Sequence, residues 1–113
     1  MHIVTIKRLQ QAAEQFRDAA SELGAWTRIV KNARWRSFQE LRQTFPDADN
    51  VDGLVVFNLR HNRYRLIAAL HYVSEIEGKL TLGHVYIGHF LTHSDYNRWS
   101  ALPAAKRSQW PPF

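Results

Sequence analysis

Cysteine is absent from this chain of 113 residues, which excludes disulfides, thiolate metal sites and a thiol nucleophile. No apolar run approaches the ~18 residues of a membrane span, and the short β-prone start at His2 to Ile6 is too brief for a signal peptide. A cytoplasmic protein that does not engage a membrane is therefore expected. Several motifs are also lacking: there is no glycine-rich phosphate loop after a strand, no nucleophile elbow, no RNA-recognition aromatic motif, no internal repeat and no low-complexity segment. Acidic residues are the minority charge, 10 against 15 Lys and Arg, for a net charge of +5. Arg outnumbers Lys 11 to 4. That bias suits planar, bidentate contacts with phosphate and stacking on bases.

What is present suffices for one compact core, with 45% of residues apolar and 22% charged. Leu9, Ala12, Ala13, Phe16, Ala19, Ala20 and Leu23 fall at helical spacing, and Gly24 is placed to cap the helix they form. Ala25, Trp26, Ile29, Val30 and Ala33 line one side of a second helical stretch. Ser37-Phe-Gln-Glu40 reads as a capping box that opens a short helix, which Pro46 stops. Asp47 to Gly53 is polar and turn-rich. Three β-like runs follow, Leu54 to Arg60, Tyr64 to Val73 and Leu80 to Leu91, with hairpin connections around Asn62 and Gly78. Gly83 and Gly88 suggest bulges or a close backbone approach. A last helix spans His93 to Leu102, where Pro103 ends it. The expected fold is α+β: a short N-terminal strand and helices packed on one face of a small antiparallel sheet, with a C-terminal helix. Residues 1–102 form the domain, and 103–113 a Pro-rich tail, extended or loosely docked.

Two groups of residues carry chemical potential. Alternation along the second β-run puts Arg63 and Arg65 on one face, beside Arg60 and His61 in the adjoining turn. Arg65, followed by apolar residues, is the less exposed of the pair, and a partly desolvated guanidinium needs an anion. The second group is at Thr92-His-Ser-Asp95, where a strand gives way to a helix. With Thr92 as N-cap, His93 opens the helix and Tyr96 lies a turn above it. The positive helix end disfavours a protonated imidazole and attracts an anion. A neutral histidine beside a phosphate is what a general base for a ribose 2′-hydroxyl requires. The other histidines carry less. His84 and His89, an odd number apart, face opposite sides of a regular strand and cannot share a metal without a bulge between them. No further ligands stand at a usual spacing, so no metal site is expected. His71, among apolar residues, reads as a neutral core histidine.

Six blocks in order, Ala25-Trp-Thr-Arg-Ile-Val-Lys-Asn-Ala-Arg-Trp35, Phe45-Pro-Asp-Ala-Asp49, Val56-Phe-Asn58, Asn62-Arg-Tyr-Arg-Leu-Ile67, Val85-Tyr-Ile87 and Thr92-His-Ser-Asp-Tyr96, resemble the HigB-type toxins of bacterial toxin–antitoxin pairs, a branch of the RelE-like superfamily. The similarity runs from Met1 to Trp99. It implies a RelE-like fold and a cofactor-free mRNA endonuclease that cuts messages on the ribosome with the RNA's own 2′-hydroxyl. It also implies neutralisation by a helix-turn-helix antitoxin of the HigA type. On matching positions, Arg65 would stabilise transition-state charge, while His93 and Tyr96 would move protons and orient the phosphate. Lys31, Arg60 and Arg63 would hold the message. The chain departs from the family pattern at Arg60-His61-Asn62, where Gly-Gly-Asn or Gly-Asn is usual, at Leu91, where glycine is usual, and at Asn97, where aspartate is common. A contrasting expectation is a non-catalytic basic module that binds nucleic acid or the antitoxin.

Overall fold

The computed structural model describes residues 1–107. A five-stranded sheet organises the molecule. Its strands are β1 (His2–Val4), β2 (Asp49–Val51), β3 (Leu54–Leu59), β4 (Tyr64–His71) and β7 (His84–Thr92), in the spatial order β1-β7-β4-β3-β2. β2, β3, β4 and β7 pair antiparallel, whereas β1 joins the β7 edge in parallel. A separate ribbon, β5 (Ser74–Ile76) with β6 (Lys79–Thr81), fills the connection expected to be a simple hairpin turn. β2 is an addition too: Asn50 accepts from the Gly53 amide across the Asp52-Gly53 turn, so this polar stretch makes a hairpin rather than a loop.

The expected helix from Leu9 to Gly24 is two helices, α1 (Ile6–Gln15) and α2 (Ala20–Asn32), joined by a 3₁₀ turn at Arg17–Ala19. The apolar spacing is continuous across the break, so the pattern does not reveal it. Phe16 leaves helical geometry to pack on Tyr64 and Phe90, at ring distances of 5.0 and 5.5 Å, and Asp18 turns outward to meet the sheet. Gly24 lies inside α2 and caps nothing. The next helix, α3 (Phe38–Thr44), starts as its capping box predicts, with the Ser37 hydroxyl accepting from the Glu40 amide at 3.2 Å.

The helices do not share one face. α1, α2 and α3 cover the face built from Val55, Phe57, Leu66, Val85, Ile87 and Phe90, where Trp26, Val30 and Leu41 are buried. On the other face α4 (His93–Ser100) seals a smaller core of Val56, Ile67, Leu91 and Trp99. The C-terminal helix is thus on the opposite side of the sheet from the others. The chain beyond Pro103 forms α5 (Ala104–Arg107); the Trp110-Pro-Pro-Phe113 end lies outside the described residues.

β7 contains a bulge that shifts which of its residues face each core. β4 and β7 pair as Ile67 with His89 but Ala68 with Ile87, which leaves Gly88 as an extra residue. A Cβ at Gly88 would stand 3.0 Å from the Ile67 carbonyl oxygen. At Gly83, φ is +84° and a Cβ would sit 2.6 Å from the His71 carbonyl oxygen, so both glycines mark the features expected of them. His71 itself is exposed, its ring edge-on to Tyr86 at 5.3 Å, and is not a core histidine. Among the described residues no helix is long and apolar enough to cross a membrane.

Candidate active site

Arg65 stands near the start of β4 on the α4 side of the sheet, opposite Asn58 of β3. Its Nη1 donates to the carbonyl oxygens of Asn62 at 2.9 Å and Tyr64 at 3.3 Å, which folds the side chain back over the turn. Among the described residues it makes no ion pair. The guanidinium lies over the Tyr96 ring instead, 5.4 Å from the centroid. Two carbonyl acceptors and an aromatic face orient this half-buried cation while leaving its charge uncompensated.

Tyr96 is held from below by Trp99, whose ring stacks on it at 5.9 Å and 27°. Both belong to α4, whose first turn forms as the sequence predicts. The Thr92 hydroxyl accepts from the Asp95 amide at 3.1 Å, and the His93 amide donates to the Arg63 carbonyl at 2.9 Å. That second bond ties the helix start to the β3–β4 turn and brings the two groups of candidate residues to one end of the sheet.

Arg65 and Tyr96 open onto a cleft of about 500 Å³, whose further lining includes Arg42, Asp47, Asp49, Asn58 and Asn62. The sequence reading missed Arg42 and Asn58. The register opposite Arg65 points to Asn58, whereas Arg42 reaches the cleft only because α3 ends beside it, with its guanidinium bonded to the Pro46 carbonyl at 2.9 Å. His93 is exposed, one turn before Tyr96, outside the lining of that cleft. Its Nδ1 is 3.2 Å from the Asn97 amide nitrogen. If that nitrogen donates, the imidazole is neutral with its proton on Nε2 and has neither a free basic nitrogen nor an acidic proton to give. If the amide is turned so that its oxygen accepts from Nδ1–H, Nε2 is left as a base and, once protonated, as an acid.

The basic residues expected around the RNA are dispersed. Arg60 and His61 sit in the β3–β4 turn, where Arg60, His61 and Asn62 all adopt positive φ, at 53°, 53° and 72°. The Arg60 amide donates to the Glu22 carboxylate at 2.7 Å, which anchors this glycine-free turn to α2. Arg63 does not project beside Arg65. Its Nη1 is 2.8 Å from Asp18, whose other oxygen accepts from the Tyr64 hydroxyl at 2.7 Å. The Tyr64 hydroxyl and then Arg63 hold the Asp18 carboxyl below its ordinary value, while burial, with the Asp18 carboxylate second, pushes the Tyr64 phenol up. Lys31 is exposed near the end of α2, in the layer over the other sheet face. His61 borders a second cavity of about 480 Å³ between α2, α3 and the turn. The bulge at Gly88 puts His84 and His89 on the same sheet face after all, yet no group of three potential metal ligands is gathered among the described residues.

Comparison with known proteins agrees with this architecture. The chain is 28% identical over 109 residues to the mRNA interferase toxin HigB of Escherichia coli K12, covering 94% of this chain and 97% of that protein. The mRNA interferase HigB of Shigella flexneri matches to the same extent. The mRNA interferase HigB of Escherichia coli O6:H1 is 23% identical over 101 residues, 87% of this chain and 90% of its own. Residues 19–99, from the 3₁₀ turn to Trp99, match the profile described as HigB_toxin, RelE-like toxic component of a toxin-antitoxin system. The chain, a RelE-like α+β fold with its candidate residues at one end of the sheet, belongs to the HigB toxin family of toxin–antitoxin systems.

Proposed function

We propose that this toxin is an endoribonuclease that cuts messenger RNA at the cleft between β4 and α4. The observation that supports it most is the Arg65 guanidinium: half-buried, stacked on Tyr96 and without a carboxylate partner among the described residues. A phosphodiester in the cleft is the anion that satisfies it. The naming of the relatives as mRNA interferases points the same way.

RNA brings its own nucleophile. The 2′-oxygen attacks the adjacent phosphorus, the bond to the 5′-oxygen of the next nucleotide breaks, and a 2′,3′-cyclic phosphate and a 5′-hydroxyl result. One group must accept the 2′-hydroxyl proton and another must protonate the leaving 5′-oxygen. Arg65 stabilises the charge that builds on the phosphorane. His93 and Tyr96 divide the proton transfers, with Asn97 setting which nitrogen of His93 is available. The residues require no metal or cofactor for this route. Arg42 and Arg60 hold phosphates outside the cut, and Arg63 joins them only when its pair with Asp18 opens.

The substrate in this reading is message on the ribosome, in the cytoplasm, and the neutralising partner is a helix-turn-helix antitoxin of the HigA type. The test maps cut sites by primer extension on a reporter message in a purified translation system, with naked RNA in EDTA alongside. In-frame cuts on translated message, cyclic-phosphate ends and loss of cutting at a 2′-deoxy position are expected. An intact message with folded toxin would refute the nuclease reading and favour a binding module, which retains RNA in a salt-dependent manner without cutting it.

A further inference from the structure

Arg107, the last described residue, lies outside the region of the family match, yet it is among the best-anchored arginines of the chain. Its side chain is 15% exposed. Nε donates to the Leu102 carbonyl at 3.0 Å, Nη2 to the Ser100 carbonyl at 2.9 Å, and Nη1 pairs with the Asp52 carboxylate in the β2–β3 turn. The guanidinium thereby lies over the Trp99 ring, 5.2 Å from its centroid. Trp99 is fully buried, and its indole N–H finds no acceptor among the described residues, where the indole is held by what packs on it rather than by a hydrogen bond.

These contacts form a continuous chain of four groups, Arg107, Trp99, Tyr96 and Arg65, with successive members 5.2, 5.9 and 5.4 Å apart. A cation stands at each end of the chain and two rings lie between them. We propose that Arg107 is a positioning residue for the candidate active site: through Trp99 and Tyr96 it fixes where the Arg65 guanidinium points. The proposal rests on the nuclease reading only for the reaction that Arg65 serves. Removing Arg107 frees one face of Trp99 and releases the carbonyls that end α4. Tyr96 then loses its fixed support, and Arg65 loses the surface that aims it into the cleft. Lysine is not equivalent, because a single ammonium over the indole cannot match the guanidinium's fork, which reaches Asp52 and two carbonyls at once.

The test uses the full chain with Arg107→Ala and Arg107→Lys, both checked for folding by circular dichroism; if the alanine variant does not fold, the lysine variant decides. Cleavage of message on programmed ribosomes is followed with toxin in excess, giving a maximal rate and a half-saturating toxin concentration. The maximal rate should fall about tenfold to a hundredfold with the half-saturating concentration unchanged, as misplacement of a reacting group gives. In parallel, the Nε–H resonance of Arg65, assigned by its absence in Arg65→Lys, reports the ring current of Tyr96. It should move in both variants. A folded Arg107→Lys with wild-type cleavage and an unmoved Arg65 resonance overturns the proposal. If the wild type cuts no message but the resonance still moves, the positioning stands and the nuclease reading fails.

Discussion

The guanidinium of Arg65 lies over the ring of Tyr96, 5.4 Å from its centroid, and this contact joins the strand β4 to the helix α4 that crosses it. A cation over a ring is worth about 0.5 to 2 kcal/mol depending on desolvation. Its larger effect here is orientation, since the guanidinium also reaches the carbonyls of Asn62 and Tyr64. Arg65→Lys keeps the charge but not the planar guanidinium or its fork of donors. It should abolish most growth arrest on induction in cells while thermal unfolding stays within a few degrees of wild type, and Arg65→Ala and His93→Ala should do the same. Undiminished arrest by a folded Arg65→Ala, His93→Ala double variant would remove both from the active site.

Tyr96 has two separable roles. Its ring supports Arg65, and its hydroxyl is available for a proton or a phosphate oxygen. Tyr96→Phe preserves the stack between Trp99 and Arg65, so it should lose only the hydroxyl's share, on the order of a hundredfold in cleavage rate. Tyr96→Ala should lose more, because Arg65 is released as well. Equal rates for the two variants in a single-turnover cleavage assay would deny the ring its supporting role.

Asn97 stands one turn from His93, with its amide against Nδ1. A carboxylate there favours the protonated ring and accepts from Nδ1–H. If His93 acts as the base, Asn97→Asp should shift the acidic limb of the cleavage profile to higher pH and raise the rate above it. If His93 acts as the acid, the alkaline limb moves upward instead. A profile unchanged on both limbs would place His93 outside the proton transfers.

The Asp18 carboxylate joins Arg63 and Tyr64 across the boundary between helix and sheet. Because its folded value is depressed below 3.8, its contribution to stability is present above that pH and is lost as pH falls through the lower folded value. Asp18→Asn should therefore flatten the acid limb of stability measured by urea unfolding below about pH 4. The same variant frees Arg63, and a rise in RNA affinity at low salt would show that this arginine is held back from the message.

The features legible in the sequence are those fixed by short-range chemistry. Ser37 and Thr92 both cap as their boxes predict, because a hydroxyl and an amide three residues apart meet in any helix start. Gly83 and Gly88 announced close backbone contacts because a Cβ would clash with the His71 carbonyl oxygen at Gly83 and press tightly on the Ile67 carbonyl oxygen at Gly88. The errors arise where distant packing decides. Phe16 breaks a helix whose apolar spacing is uninterrupted, because Tyr64 and Phe90 offer it a better place. Arg63 turns away from Arg65 because Asp18, 45 residues earlier, captures it. Arg42 and Asn58 entered the cleft unannounced, since neither carries a motif and only the folded sheet places them beside Arg65.

The bulge at Gly88 gives β7 a parity. Before it Val85 and Ile87 point to the three-helix layer, after it Phe90 does, while His89 and Leu91 face the other layer. Removing or adding one residue between Ile87 and Thr92 would exchange the two sets and launch α4 from the wrong side of the sheet, carrying His93 and Tyr96 away from Arg65. In evolutionary terms β7 is therefore closed to single insertions and deletions, which are confined to regions such as the exposed β5–β6 ribbon where no such count is kept.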